Sequence, residues 1–171
     1  MKRKQAISAY TALLGVKLNK MDDEMTDAIL ADTLSLGAIH EQMSRVQEEL
    51  RRRTFDNIDR RRLEEYDNLV TKVNALNGQN KAAMQAVIND NYADVVKAHT
   101  IFLKALNKWL EKDVEADIET IDRKRFIKAL KDSDQVFTPA DLDALSVVFG
   151  DYKAISSTID AEEIDSLMNE E

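Results

Sequence analysis

The stretch LGAIHEQMSRVQEEL, Leu36 to Leu50, and its counterpart INDNYADVVKAHTIFLKALNKW, Ile88 to Trp109, decide the fold. Leu36, Ile39, Met43, Val46 and Leu50 are spaced 3, 4, 3, 4, and Ile88, Tyr92, Val95, His99, Phe102, Leu106 and Trp109 are spaced 4, 3, 4, 3, 4, 3. Each run lays an apolar stripe along one side of a helix and charges on the other. Between them Asn77-Gly78-Gln79-Asn80 is the best turn signal of the region. The pattern predicts a mainly α protein: a long antiparallel helical hairpin or bundle, with short N- and C-terminal helices at its open end.

The rest of the chain is read outward from this hairpin. Ala6, Ile7, Tyr10, Leu13 and Leu14 share one side of a helix from Lys2 to Leu14, with Gly15 as its C′ residue. Asp22-Asp23-Glu24 suits the start of the next helix, with Asp22 or Asp23 as cap, and Met25, Ala28, Ile29, Leu34 and Leu36 lead into the first stripe. Gly37 marks a close crossing or a weak point. The stripe loses register after Leu50, so an interruption is expected over Thr54–Asp59, with Asp56 or Asp59 capping the restart. Leu63, Tyr66, Leu69, Val70, Val73 and Leu76 resume the pattern. After the turn, a single helix from Asn80 to Glu111 would be about 48 Å long.

Val114, Ala116, Ile118 and Thr120 alternate with Glu115, Asp117 and Glu119, the period of a half-buried strand. Val16–Leu18 is its evident partner, which leaves room for a small two-stranded ribbon. Arg123 to Leu130 form a short helix. Thr138-Pro139-Ala140-Asp141 starts another, with Leu142, Leu145, Val148 and Phe149 inward and Gly150 as its stop. Asp160 to Met168 can add a last turn. The expected organisation is one helical domain over residues 1–150 and an acidic tail over 151–171.

Composition narrows the function classes. The 171 residues are 33% charged and 44% hydrophobic, with 4 Gly, 1 Pro and no Cys. The absence of Cys excludes disulfides, thiol catalysis and thiolate metal sites. There is no apolar run long enough for a membrane-spanning helix. Met1-Lys2-Arg3-Lys4 faintly resembles a signal-peptide start, but polar interruptions and Lys17 and Lys20 argue for a cytoplasmic protein. Residues 1–110 carry 17 Lys+Arg and 15 Asp+Glu, a balance of +2, and residues 111–171 carry the remaining −10 of the net −8. An acidic C-terminal third repels phosphate and suits a basic protein surface.

The candidate chemical constellations each carry a plainer reading. His40 and His99 lack a Glu-x-x-His partner, and the hairpin separates them by about 27 Å along the helix, so core or boundary histidines are expected. Asp132 to Thr138 opens like a calcium loop, but Phe137 and Asp143 stand where Gly and Glu are needed. Glu24–Asp27 and Glu64–Asp67 have a spacing that could hold magnesium, which keeps a metal-dependent helical hydrolase as a third reading. Arg51-Arg52-Arg53 and Arg60-Arg61-Arg62 could bind phosphate or an acidic protein, but Glu48–Arg52, Glu49–Arg53 and Arg60–Glu64 pairs would neutralise much of that face. Tyr92, Phe102 and Trp109 read as core.

The order of elements is similar to that of small, uncharacterised helical-hairpin proteins encoded by bacteriophages and prophages. The residues that carry the resemblance are Ile7, Tyr10 and Leu13-Leu14, then Val114, Ile118 and Ile121, then Thr138, Leu142 and Leu145. It covers residues 5–149 and rests on element order and apolar spacing; the arginine triplets and the tail fall outside it. It implies a phage or bacterial-cytoplasm setting and no particular activity.

The expected function is non-catalytic: a protein–protein interaction or assembly factor that self-associates. Leu36, Ile39, Met43, Val46 and Leu50 would supply an apolar seam, and Arg51, Arg52, Arg53, Arg60, Arg61 and Arg62 its orienting charge. No metal or cofactor is expected. The alternative is nucleic-acid binding through the same arginines.

Overall fold

The computed structural model describes residues 1–149, with Gln79 described by its backbone alone. The acidic tail and the turn at Asp160–Met168 lie outside the described residues. The protein is mainly α: about 75% helical, with seven α-helices and no strand among the described residues. They are α1 Arg3–Leu14, α2 Asp23–Phe55, α3 Arg60–Asn74, α4 Gln79–Asn91, α5 Ala93–Leu110, α6 Arg123–Asp132 and α7 Pro139–Ala144; a 3₁₀ turn, Leu145–Phe149, follows. The contacts divide the chain into two compact units. One comprises Met1–Arg45 and the described residues from Lys108 onward; the other comprises Val46–Asn107.

In the first unit α1 packs on α7 and on the 3₁₀ turn. Ala6, Ala9 and Leu13 of α1 join Ile29, Leu36, Phe126, Leu145 and Val148 in one buried cluster. Gly15 follows α1 as expected, but with φ −83°, so its role there does not depend on a left-handed conformation. Asp22 caps α2 by accepting the Met25 N–H at 3.0 Å, and Arg125 of α6 donates to Asp22 at 2.7 Å and to Glu24 at 3.0 Å. Gly37 is a close crossing: a Cβ there would stand 3.2 Å from the Tyr10 ring. Thr138 and Asp141 close a capping box at the start of α7, with Pro139 in its first turn.

The ribbon expected between Val16–Leu18 and Val114–Thr120 does not form. The alternation itself is present, since Val114, Ala116 and Ile118 are buried and Glu115, Asp117 and Glu119 exposed. What differs is where the amides go. The Val114 N–H donates to the Met1 carbonyl at 2.8 Å, the Ile121 N–H to Val148 at 2.9 Å, and the Lys17 N–H to the Gln135 side chain at 2.8 Å. One isolated antiparallel bridge, Lys2 with Asp113, is all the strand-like pairing among the described residues. The Glu119 N–H is taken at 2.7 Å by the Asp32 carboxylate on α2. Asp32 is 0% exposed, and its second oxygen has no hydrogen-bond partner among the described residues. Burial pushes this carboxyl up to about 7, against the opposing effect of the Glu119 amide, and the Glu119 and Asp117 carboxylates add to the rise.

In the second unit the chain breaks between Phe55 and Arg60, as the lost register predicts. Asp59 caps the restart by accepting the Arg61 N–H at 2.9 Å. α3 packs on α4, and Gly78 makes the turn between them with φ 67° and ψ −145°. The single helix expected from Asn80 to Glu111 is instead two, α4 and α5, divided at Tyr92 (φ −121°, ψ 35°). The heptad spacing runs through this break because the hydrogen bonds on either side keep helical period: Tyr92 donates to Ile88 and Val96 to Tyr92. At the break the Arg62 guanidinium takes the Asn91 carbonyl at 2.7 Å. This is a tertiary contact that helical periodicity does not reveal.

Candidate protein-binding surface

The expected seam is spent within the chain. Leu36, Ile39, Val46 and Leu50 are buried, and Met43 is half-buried. These side chains therefore have little surface left to offer a partner in this conformation.

The arginine triplets are largely neutralised by neighbours. Arg52 and Arg53 converge on Glu49, at 2.6 Å and 2.7 Å, and together hold its carboxyl down to about 2. The Glu49–Arg53 and Arg60–Glu64 pairs are as expected, the latter at 3.0 Å. Arg52 turns to Glu49 instead of Glu48, so that one carboxylate accepts from two guanidiniums at once. Arg62 makes two bonds to Asp94, at 2.8 Å and 2.7 Å, lies over the Tyr92 ring at 4.8 Å, and holds the Asp94 carboxyl down to about 2. Arg51 and Arg61 make no ion pair among the described residues. Arg51 faces the Phe102 ring at 5.8 Å.

An open cleft of about 350 Å³ lies in the same unit, lined by Arg51, Phe55, Leu63, Asp67, His99 and Phe102. His99 stands edge-on to Phe55 at 4.8 Å and stacks on Tyr66 at 5.2 Å. His40, in the other unit, lies against Tyr10 at 5.0 Å. Both histidines are thus ring-packed boundary residues. Among the described residues no three His, Asp or Glu side chains are grouped so as to hold a metal ion. Of the carboxylate pairs, Glu24 is engaged by Arg125 and Glu64 by Arg60, while Asp27 and Asp67 are exposed. Asp132 to Thr138 serves as a connector; the Ser133 hydroxyl donates to the Leu130 carbonyl at 2.8 Å, and Thr138 caps α7.

The surface that periodicity missed is the tip formed by the end of α3 and by α4. Residues 73–89 contain one charge, Lys81, in a chain that is 33% charged. The α3 side of the tip buries Val73 and half-buries Leu69, Val70 and Leu76. On α4, Ile88 turns inward, but Met84 is 39% and Val87 56% exposed. They lie on a second stripe, Asn80, Met84, Val87 and Asn91, spaced 4, 3, 4. The available signal was the window with a single charge; it was hidden by the stronger stripe that runs from Ile88 into α5. Protein interfaces are depleted of charge at their centres and enriched in residues such as Met.

Unit one also exposes Leu30 and Leu34 on α2, at 48% and 77%. They are bracketed on the same helix face by the acidic Asp27 and Glu41, unlike the pair on α4.

No family model matches the chain, and no curated protein or solved structure is significantly similar to it. The functional reading accordingly rests on the surface chemistry alone.

Proposed function

We propose that the chain is a non-catalytic protein-interaction module that docks a partner through the uncharged tip of its α3–α4 hairpin. The observation that carries this reading is the coincidence, over residues 73–89, of near-absent charge with the exposed apolar side chains of Met84 and Val87. The arginine face supports it by contrast. Four of its six guanidiniums are already bonded to carboxylates, which leaves little positive field for phosphate.

A photo-crosslinking side chain placed at position 87 of the full chain, in living bacteria, tests the reading. Protein adducts are expected from position 87, and not from the same group at the exposed, charged position 64. Met84→Glu in the same chain should abolish them. Nucleic-acid adducts, or none above the position-64 control, would overturn the proposal.

A further inference from the structure

We propose that the tip's partner is a second copy of this chain, joined through antiparallel pairing of α4 with α4. The inference rests on the docking reading above and gives that surface its occupant.

The first argument is the order of the stripe. A two-fold axis crossing α4 between Gln85 and Ala86 carries position 84 onto 87 and position 80 onto 91. Met84 of one copy then meets Val87 of the other, twice, and Asn80 meets Asn91, twice. The exposed side chains thus form a patch that is its own complement, as an isologous contact requires. Its apolar centre and polar ends match the seam of a short coiled coil.

The second argument is charge. The charges flanking the stripe on α4 are Lys81 and Asp90, and the same axis sets each level with the other. Antiparallel pairing therefore places unlike charges at the same level, whereas parallel pairing would set Lys81 beside Lys81 and Asp90 beside Asp90. The exposed pair on α2 fails the same test. Antiparallel self-pairing that sets Leu30 against Leu34 would set Asp23 against Glu41, acid against acid, and parallel pairing would set each acid against itself. Of these two exposed apolar pairs, only the one on α4 tolerates its own copy.

The third argument is size. α4 has 13 residues and is about 20 Å long. Two such helices bury less than roughly 1,200 Å² in total, the range of weak, reversible contacts. The expected dimer is concentration-dependent.

Sedimentation equilibrium of the purified full chain, from roughly 5 µM to 1 mM, should show the mass rising from 19.4 kDa toward that of two copies. Met84→Glu and Val87→Glu should each weaken the association by at least about 10-fold with helix content unchanged. The chain has no natural cysteine, so register can be tested by oxidation. An equal mixture of Met84→Cys and Val87→Cys chains should cross-link more than either variant alone. A wild-type monomer throughout the range overturns the inference, as does a dimer indifferent to both Glu variants. Variants that each cross-link alone as well as the mixture overturn the antiparallel register. Monomeric protein that still gives heterologous adducts from position 87 would sink the self-pairing and leave the docking reading standing. Loss of both would sink both.

Discussion

In the unit of Met1–Arg45 and the residues from Lys108, buried side chains come from helices, a 3₁₀ turn and an extended segment. In the unit of Val46–Asn107, they come from helices alone. The first holds 19 buried apolar side chains among the described residues and the second 8, which makes the second core much the thinner. Irregular segments fill what helices leave open: Val114, Ala116, Ile118 and Ile121 supply apolar cover without a sheet. The α3–α4 tip has no such cover, and there the exposed Met84 and Val87 remain. The difference teaches that at this tip, the surface proposed above for docking, helices are left without the cover that irregular segments give the first core.

The largest expected effects test this difference in core. Phe126→Ala empties a fully buried ring site in the first unit and should cost ~3–5 kcal/mol, whereas Val73→Ala in the second should cost ~1–3 kcal/mol. Trp109, the only tryptophan, belongs to the first unit and is buried there beneath the Arg3 guanidinium, 4.5 Å from the ring centroid. Its fluorescence in urea therefore reports the first unit, while far-UV circular dichroism reports helices in both. The dichroism transition should begin at lower urea than the fluorescence transition. Superimposable curves would mean that the two units unfold as one.

Next comes the buried carboxyl of the first unit. Asp32 has a folded-state pKa of about 7, above its usual value of 3.8, so the folded protein holds this proton more tightly than the unfolded chain. Its contribution to stability is fully present below about pH 4 and is lost as the pH rises through 7. The full difference is on the order of 4 kcal/mol. Asp32→Asn keeps an oxygen for the Glu119 N–H and removes the charge. The variant should gain ~1–3 kcal/mol over wild type at pH 8, with a much smaller gain at pH 5. Urea denaturation at the two values reads the difference; an equal effect at both would show that Asp32 ionises freely where it sits. Glu49 and Asp94 act in the opposite direction and at lower pH. Their carboxyls are held down by arginines, so their contribution is lost only as the pH falls through about 4 toward 2.

Gly78→Ala probes the turn of the second unit. The position has φ 67° and ψ −145°, a region closed to side-chain-bearing residues, and a Cβ would meet nothing within 4 Å. The cost is therefore purely conformational, ~1–3 kcal/mol. Thermal melts followed by dichroism should show the loss. An unchanged melting temperature would mean that the hairpin tolerates a different turn.

The hairpin, its interruption and the Gly78 turn were legible because each rests on local signals: apolar spacing, a lost register, a capping Asp59 and a glycine. Gly37 was legible as an ambiguity, and Tyr10 resolves it. The break at Tyr92 was not legible, since helical period continues through it and the contact that marks it comes from Arg62, 29 residues away from Asn91. Nor was the fate of Val114–Thr120, whose period-two pattern reports burial but not which group accepts its amides; Asp32 lies 87 residues from Glu119. For the surface, spacing identified the strongest stripes, and strong stripes are what a chain buries. Leu36, Ile39, Val46 and Leu50 went inside for that reason. The weaker stripe through Met84 and Val87 stayed out.

The smallest expected effect is at the close crossing of the first unit. Gly37 lies in the interior of α2, where alanine is preferred over glycine by about 1 kcal/mol on backbone grounds. Against this, the new Cβ would stand 3.2 Å from the Tyr10 Cε2 atom, closer than ordinary contact. Tyr10 is half-buried at the edge of the core cluster and leans on His40, 5.0 Å away, so its ring is only partly enclosed. A shift of a few tenths of an ångström relieves the contact. Gly37→Ala should therefore change stability by less than about 1 kcal/mol, because the two terms oppose each other. Pairing it with Tyr10→Leu separates them: without the ring the alanine should stabilise by ~0.5–1 kcal/mol, its helical preference alone. If Gly37→Ala costs several kcal/mol with Tyr10 present, the ring is fixed and α1 is locked on α2. If it already stabilises by the full amount, the ring moves freely and the glycine is not needed for the crossing.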